Sequence, residues 1–248
     1  MRMLCIDLNC DLGEGYPNDA ALMPLIASAN IACGYHAGDA DTMRRTVDLA
    51  LEHGVAIGVH PGFADKPNFG RSEIVLPPQG YYDLVWQQME SLETIVQAAG
   101  ARLHHVKPHG ALYNMAARDP ALAHAIAHAV LDFDPQLILY GLSGSHLIDQ
   151  AHFLGLQTAS EVFADRSYQT DGSLTPRSRP EALIRDPEQC LQQVLQMVGQ
   201  KTVTAVDGTS LSIRAETICL HGDGEHALEF ARLVRTFLEQ NNIEVQAP

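Results

Sequence analysis

The segment TICLHGDGE, residues 217–225, carries an apolar, β-prone run straight into His-Gly-Asp. Three other segments follow the same plan: SANIACGYHAGD (28–39), GVAIGVHPG (54–62) and LHHVKPHG (103–110). Each is a short apolar run that ends in a histidine, with a glycine one or two residues later. A strand that stops at a polar residue and turns on glycine is the pattern of a βα unit.

Between these runs lie helical patterns. Residues 40–53 place Met43, Val47, Ala50 and Leu51 on one face, with Asp39 or Asp41 as cap and Gly54 as stop. Residues 82–99, 119–131, 145–154, 187–198 and 224–240 read the same way. Further apolar runs at 3–8, 137–141 and 156–162 bring the strand count to seven. Strand and helix alternate along nearly the whole chain, which predicts a parallel sheet with crossover helices. The expected fold is therefore α/β, a single TIM-like (β/α)7 barrel over 1–248. A doubly wound open sheet is the structural alternative. Residues 203–213, with Asp207-Gly208 between two β-rich pieces, predict a hairpin inserted before the last strand.

The bulk numbers agree with one large domain. The chain has 248 residues, 46% of them hydrophobic, enough to bury a substantial core. Its formal net charge of −14 argues against nucleic acid or an anionic membrane as partner. No run approaches the roughly 20 apolar residues of a membrane span. The start, MRMLCIDLNCD, is too short and polar for a signal peptide. Five scattered cysteines with no CxxC pair point to reduced thiols and a cytoplasmic location.

In a parallel barrel, the loops after the strands open on one face, and that face holds the active site. Strand ends supply Asn9, Asp11 and Glu14 from DLNCDLGEG, then His36 and Asp39, then His60. They go on to supply Lys107 and His109, followed by Tyr113. The last contributions are Glu161, Asp165 and Arg166 from SEVFADRSY, and His221 and Asp223. Asp39 and Asp223 precede helices, so capping is an equally good reading for them. Taken together, carboxylates, histidines and a lysine on one face make a pocket that no structural role requires. Lys107 is one of only three lysines, beside Lys66 and Lys201, and suits a carboxylate, a phosphate or a polarised carbonyl. Spacing leaves open whether Asp11, His60, His109 or His221 holds a metal. The His124/His128 pair sits in an ordinary Ala-rich amphipathic helix. No GxxxxGK[ST], complete GxGxxG or GxSxG motif is present.

The six motifs DLNCDLGEG, SANIACGYHAGD, GVAIGVHPG, HVKPHGALYN, EVFADRSY and TICLHGD, in that order, resemble the LamB/YcsF family of 5-oxoprolinase A subunits. The resemblance runs from about residue 5 to residue 225. It implies a deacetylase-like β/α barrel of the glycoside hydrolase/deacetylase type. It also implies opening of the lactam of 5-oxo-L-proline to L-glutamate, coupled to ATP hydrolysis with Mg2+ and shared with two further subunits, B and C. On that reading Asp11, Glu14, His36, His60, Lys107, His109, Glu161 and His221 are catalytic candidates. Asn9, Asp39, Tyr113, Asp165, Arg166 and Asp223 are substrate-binding candidates. No resident metal is named. The alternatives are a stand-alone metal-dependent amide or N-acyl hydrolase, and a chain that only binds its ligand for a partner.

Overall fold

The computed structural model describes residues 4–221 and 227–248, with the side chain of His221 outside that description. Seven parallel strands close into a barrel: β1 (Leu4–Leu12), β2 (Ser28–Ala32), β3 (Ala56–His60), β4 (His105–Val106), β5 (Ile138–Leu142), β6 (Gln157–Phe163) and, after the hairpin β7 (Thr202–Thr204) and β8 (Ser210–Ser212), β9 (Thr217–His221). The β1–β9 pairing, with Asp7 opposite Thr217 and Asp11 opposite His221, closes the ring. Closure leaves no long strand edge to solvent. Outside the ring, β10 (Ile243–Val245) pairs with the start of β1, where β2 does not reach. The sequence pattern does not reveal β10, because three residues are too few to show an alternation.

The helices are α1 (Asp19–Leu22), α2 (Ala40–His53), α3 (Pro78–Ala98), α4 (Gly110–Arg118), α5 (Pro120–Phe133), α6 (His146–Leu154), α7 (Pro187–Leu195) and α8 (Ala227–Gln240). Local chemistry sets their ends. The Asp39 carboxylate accepts from Thr42 N at 2.8 Å and so caps α2, and Gly54 at φ 66° ends it. Asp119 caps α5 ahead of Pro120, and Asp186 caps α7 ahead of Pro187. The expected 82–99 helix starts four residues early, at Pro78, whose missing N–H costs nothing in a first turn. Helix α4 has no counterpart among the expected helices; it is nine residues long and follows His109 without a capping signal in the sequence.

Strand alternation sorts the core into two environments. On β1, Ile6, Leu8, Cys10 and Leu12 point outward and pack under the helices. Asp7, Asn9 and Asp11 point into the barrel and are also buried. Polar partners face them from the other strands: Ser28 and Asn30 from β2, His60 from β3, His105 from β4, Glu161 from β6 and Thr217 from β9. The lumen is thus filled largely by hydrogen-bonding side chains. An apolar group of Ile138, Tyr140 and Ala159 also sits there, apart from the main core. Among the described residues, no helix is long and apolar enough to cross a membrane.

Candidate active site

The site rests on the polar lumen. Lys107 continues β4 and is 2% exposed. Its ammonium donates to Asn9 Oδ1 at 3.0 Å and Asp11 Oδ1 at 2.9 Å, lies 2.9 Å from Glu161 Oε1, and meets Cys219 Sγ at 3.0 Å. Burial alone would discharge this lysine. The charges of Asp11 and Glu161 outweigh that and hold it well above the ordinary lysine range. Asn9 is fully engaged, donating to Glu161 Oε1 and Thr217 Oγ1 while accepting from Asn30 and Lys107. Thr217 and Ser28 donate in turn to the Asp7 carboxylate, which burial raises to about 6. His105 meets Asn30 Oδ1 at 2.8 Å and stacks on Tyr140. A buried network with this many paired atoms fixes the orientation of every member.

Above the network lies a cavity of about 560 Å³. It is lined by Asp11, Glu14, His60, Lys107 and His109, and by Arg71, Tyr113, Arg118, Phe163 and Arg166. His60 Nδ1 lies 2.7 Å from the Lys107 carbonyl, and His109 Nε2 lies 2.9 Å from the Phe69 carbonyl. Carbonyls only accept, so these two nitrogens carry the protons. The other nitrogens, His60 Nε2 and His109 Nδ1, stand 2.9 Å apart. Asp11 Oδ2 is 3.3 Å from His60 Nε2, and Glu14 Oε1 is 3.5 Å from His109 Nδ1. Burial, followed by the neighbouring His60 imidazole, pushes His109 down to about 3, so its ring is neutral at pH 7. His36 stacks on His109 with centroids 3.8 Å apart and planes 8° from parallel. Neither of its ring nitrogens makes a hydrogen bond within the described residues, and burial disfavours its charged form most of all. Glu14, His36, His60 and His109 each bring a donor atom within 4.8 Å of the others, a set able to hold a cation.

The backbone around the histidines is adapted to them. Phe69 adopts φ 56°, a left-handed conformation uncommon outside glycine, and this turns its carbonyl onto His109. Gly70 follows at φ 64°, where a Cβ would stand 2.7 Å from the His36 Cβ. The Arg71 guanidinium covers the Phe69 ring at 4.9 Å to its centroid.

The expected residues fall into groups. Asp11, Glu14, His60, Lys107, His109, Tyr113 and Arg166 meet at the cavity. Asn9 and Glu161 lie beneath it in the lumen network, because β1 runs on to Leu12 instead of ending at residue 8 and so draws Asn9 inside. His36 sits behind His109. Asp39 is a helix cap and Asp165 is half-buried outside the cavity wall. His221 ends β9, but its side chain and Asp223 lie outside the described residues. The strand-end pattern does not single out His105, Asn30, Ser28, Thr217 or Phe69. A polar residue inside an apolar strand, as in SANIA, is the signal that marks Ser28 and Asn30.

Arg166 donates to the Ala182 and Thr175 carbonyls at 3.2 and 2.7 Å. These are two of the five N–H groups of a guanidinium. Burial and the nearby charge of Arg177 lower it to about 10, so it remains a cation at the cavity wall.

A LamB/YcsF family model matches residues 6–248. The chain is 54% identical over 250 residues to the 5-oxoprolinase A subunit of Tolumonas auensis, covering 99% of this chain and 100% of that one. Among solved structures, a lactam utilization protein from Thermus thermophilus superposes with a TM-score of 0.93 at 44% identity, over 99% of this chain and 100% of that one. A T48 deacetylase, at 16% identity and a TM-score of 0.51 over 98% of this chain and 87% of that one, shares the fold.

Proposed function

The chain belongs to the LamB/YcsF family, and on that footing we propose that it is the A subunit of an ATP-dependent 5-oxoprolinase. It opens the lactam of 5-oxo-L-proline to L-glutamate in an assembly with the B and C subunits, using ATP with Mg2+. The observation that carries this reading is one cavity lined by Asp11, Glu14, His60 and His109 together with the cationic Arg166. Around it, the full-length likeness to 5-oxoprolinase A subunits supplies the substrate class.

A lactam carbonyl is a weak electrophile. Transfer of the ATP γ-phosphoryl group to its oxygen, releasing ADP, gives an imidate phosphate. Water then adds to the ring carbon, and the carbon–nitrogen bond breaks as the nitrogen takes up a proton, which leaves the free amine and a γ-glutamyl phosphate; a second water hydrolyses that acyl phosphate to L-glutamate and phosphate. Arg166 pairs with the substrate carboxylate through its remaining N–H groups. Glu14 orients the attacking water and accepts its proton, with Asp11 held beside it by Lys107 and Asn30. Lys107 does not reach the substrate as a free cation in this arrangement. It locks Asp11 in place from below and balances Asp11 and Glu161. Neither a GxxxxGK[ST] nor a complete GxGxxG motif occurs in the sequence, which fits a nucleotide held with the help of the partner subunits.

The test is glutamate release from 5-oxo-L-proline, with ATP and Mg2+, by this chain alone and with the B and C subunits. Turnover only in the complete mixture, and lost without ATP, upholds the proposal. Amide hydrolysis by the isolated chain without ATP would instead favour a stand-alone hydrolase.

A further inference from the structure

With both rings neutral, the contact between His60 and His109 has no satisfactory proton assignment among the described residues. Backbone carbonyls fix the proton on His60 Nδ1 and on His109 Nε2. Two lone pairs therefore face each other across 2.9 Å, with the carboxylate oxygens of Asp11 and Glu14 beside them. Electron-rich atoms converge in this way only around a positive charge.

The geometry points to a divalent-cation site formed by His60 Nε2, His109 Nδ1 and the carboxylates of Glu14 and Asp11. Three further observations support it. A histidine that binds a metal through one nitrogen usually donates from the other to a carbonyl or carboxylate, and both histidines do so here. Asp11 is held through Oδ1 by Lys107 and Asn30, while its Oδ2 faces His60. The separations of 2.9, 3.3, 3.5 and 3.9 Å match the spacing of donors around one ion. Donors about 2.1 Å from a tetrahedral ion lie about 3.4 Å from one another.

His36 is not a ligand in this arrangement. Its ring is parallel to that of His109 and stacked on it, so an ion in the plane of His109 lies well out of the plane of His36. Two imidazoles and two carboxylates suit a Zn2+ or Co2+ ion better than Mg2+, which prefers oxygen ligands and keeps its waters. All four donor residues line the cavity, so the ion would face the substrate space and could act as a Lewis acid there by taking a substrate oxygen or water as a fifth ligand.

The test uses the full chain, stripped with a chelator and titrated with Zn2+ by calorimetry and with Co2+ by visible absorption, without ATP. One ion per chain is expected, with a Co2+ spectrum shifted from that of the aqueous ion. His60→Ala and His109→Ala should each weaken binding by at least about 100-fold, and His36→Ala by only a few-fold. His60→Gln and His109→Gln replace the alanine variants if those lose their native circular dichroism. No saturable binding of either ion to natively folded protein would overturn the proposal and leave a proton shared by the two histidines. Binding that survives both histidine substitutions, or that is lost only with His36→Ala, would overturn it equally. The outcome is independent of the substrate: a chain that binds Zn2+ but fails to release glutamate upholds this site and sinks only the oxoprolinase reading.

Discussion

The Lys107 ammonium lies 2.9 Å from Asp11 Oδ1, and both residues are buried where the barrel lumen meets the cavity they line. This pair ties the lumen network to the cavity, since Asp11 Oδ2 is the atom that reaches His60. Removing the lysine would strand two carboxylates, Asp11 and Glu161, in a buried space. Lys107→Met should therefore cost about 3–5 kcal/mol of stability as well as turnover. Urea unfolding of the purified chain measures it, and a loss below about 1 kcal/mol would mean the lumen is wetter than described.

Asp7 makes stability depend on pH. Its carboxyl is raised by burial from 3.8 to about 6, so the folded state holds the proton more tightly than the unfolded chain. The sign follows: Asp7 costs nothing below about pH 4, and its cost grows as pH rises through 6 to about 3 kcal/mol. Asp7→Asn should flatten the fall in stability between pH 4 and 7. An unchanged slope in denaturation curves across that range would show that Asp7 is ionised in the fold.

Gly58 on β3 is paired with His105 on the neighbouring strand β4, and a Cβ on it would overlap the imidazole ring. His105 cannot retreat, because it stacks on Tyr140 and meets Asn30. Gly58→Ala should lower stability by about 1–3 kcal/mol, as overpacking does. Thermal unfolding checks it, and a melting temperature equal to the parent's would show that His105 has another rotamer available.

Arg166 should act on substrate affinity. A charged hydrogen bond to a carboxylate is worth about 1.5–3 kcal/mol, so Arg166→Gln should raise KM for 5-oxo-L-proline about 10- to 100-fold in the complete assembly. Arg166→Lys should not restore it, because a lysine cannot span the Thr175 and Ala182 carbonyls. A kcat effect with KM unchanged would move Arg166 from substrate binding to phosphoryl transfer.

The barrel is legible in the chain alone, because alternating strand and helix patterns with glycine-marked strand ends leave few other ways to bury seven apolar runs. The gathering of polar residues from those ends on one face is equally legible, and so is the hairpin before β9. No local pattern shows that β1 runs on to Leu12 and turns Asp7, Asn9 and Asp11 inward. Nor does one show that Lys107 spends its charge on the lumen, whereas the helix start after Asp39 does offer that carboxylate as a cap. A residue's type states which bonds it can make; closure of the ring decides which partners are near enough to use them. The 2.9 Å contact between His60 and His109 joins side chains 49 positions apart, a distance along the chain that neither helical nor strand periodicity spans.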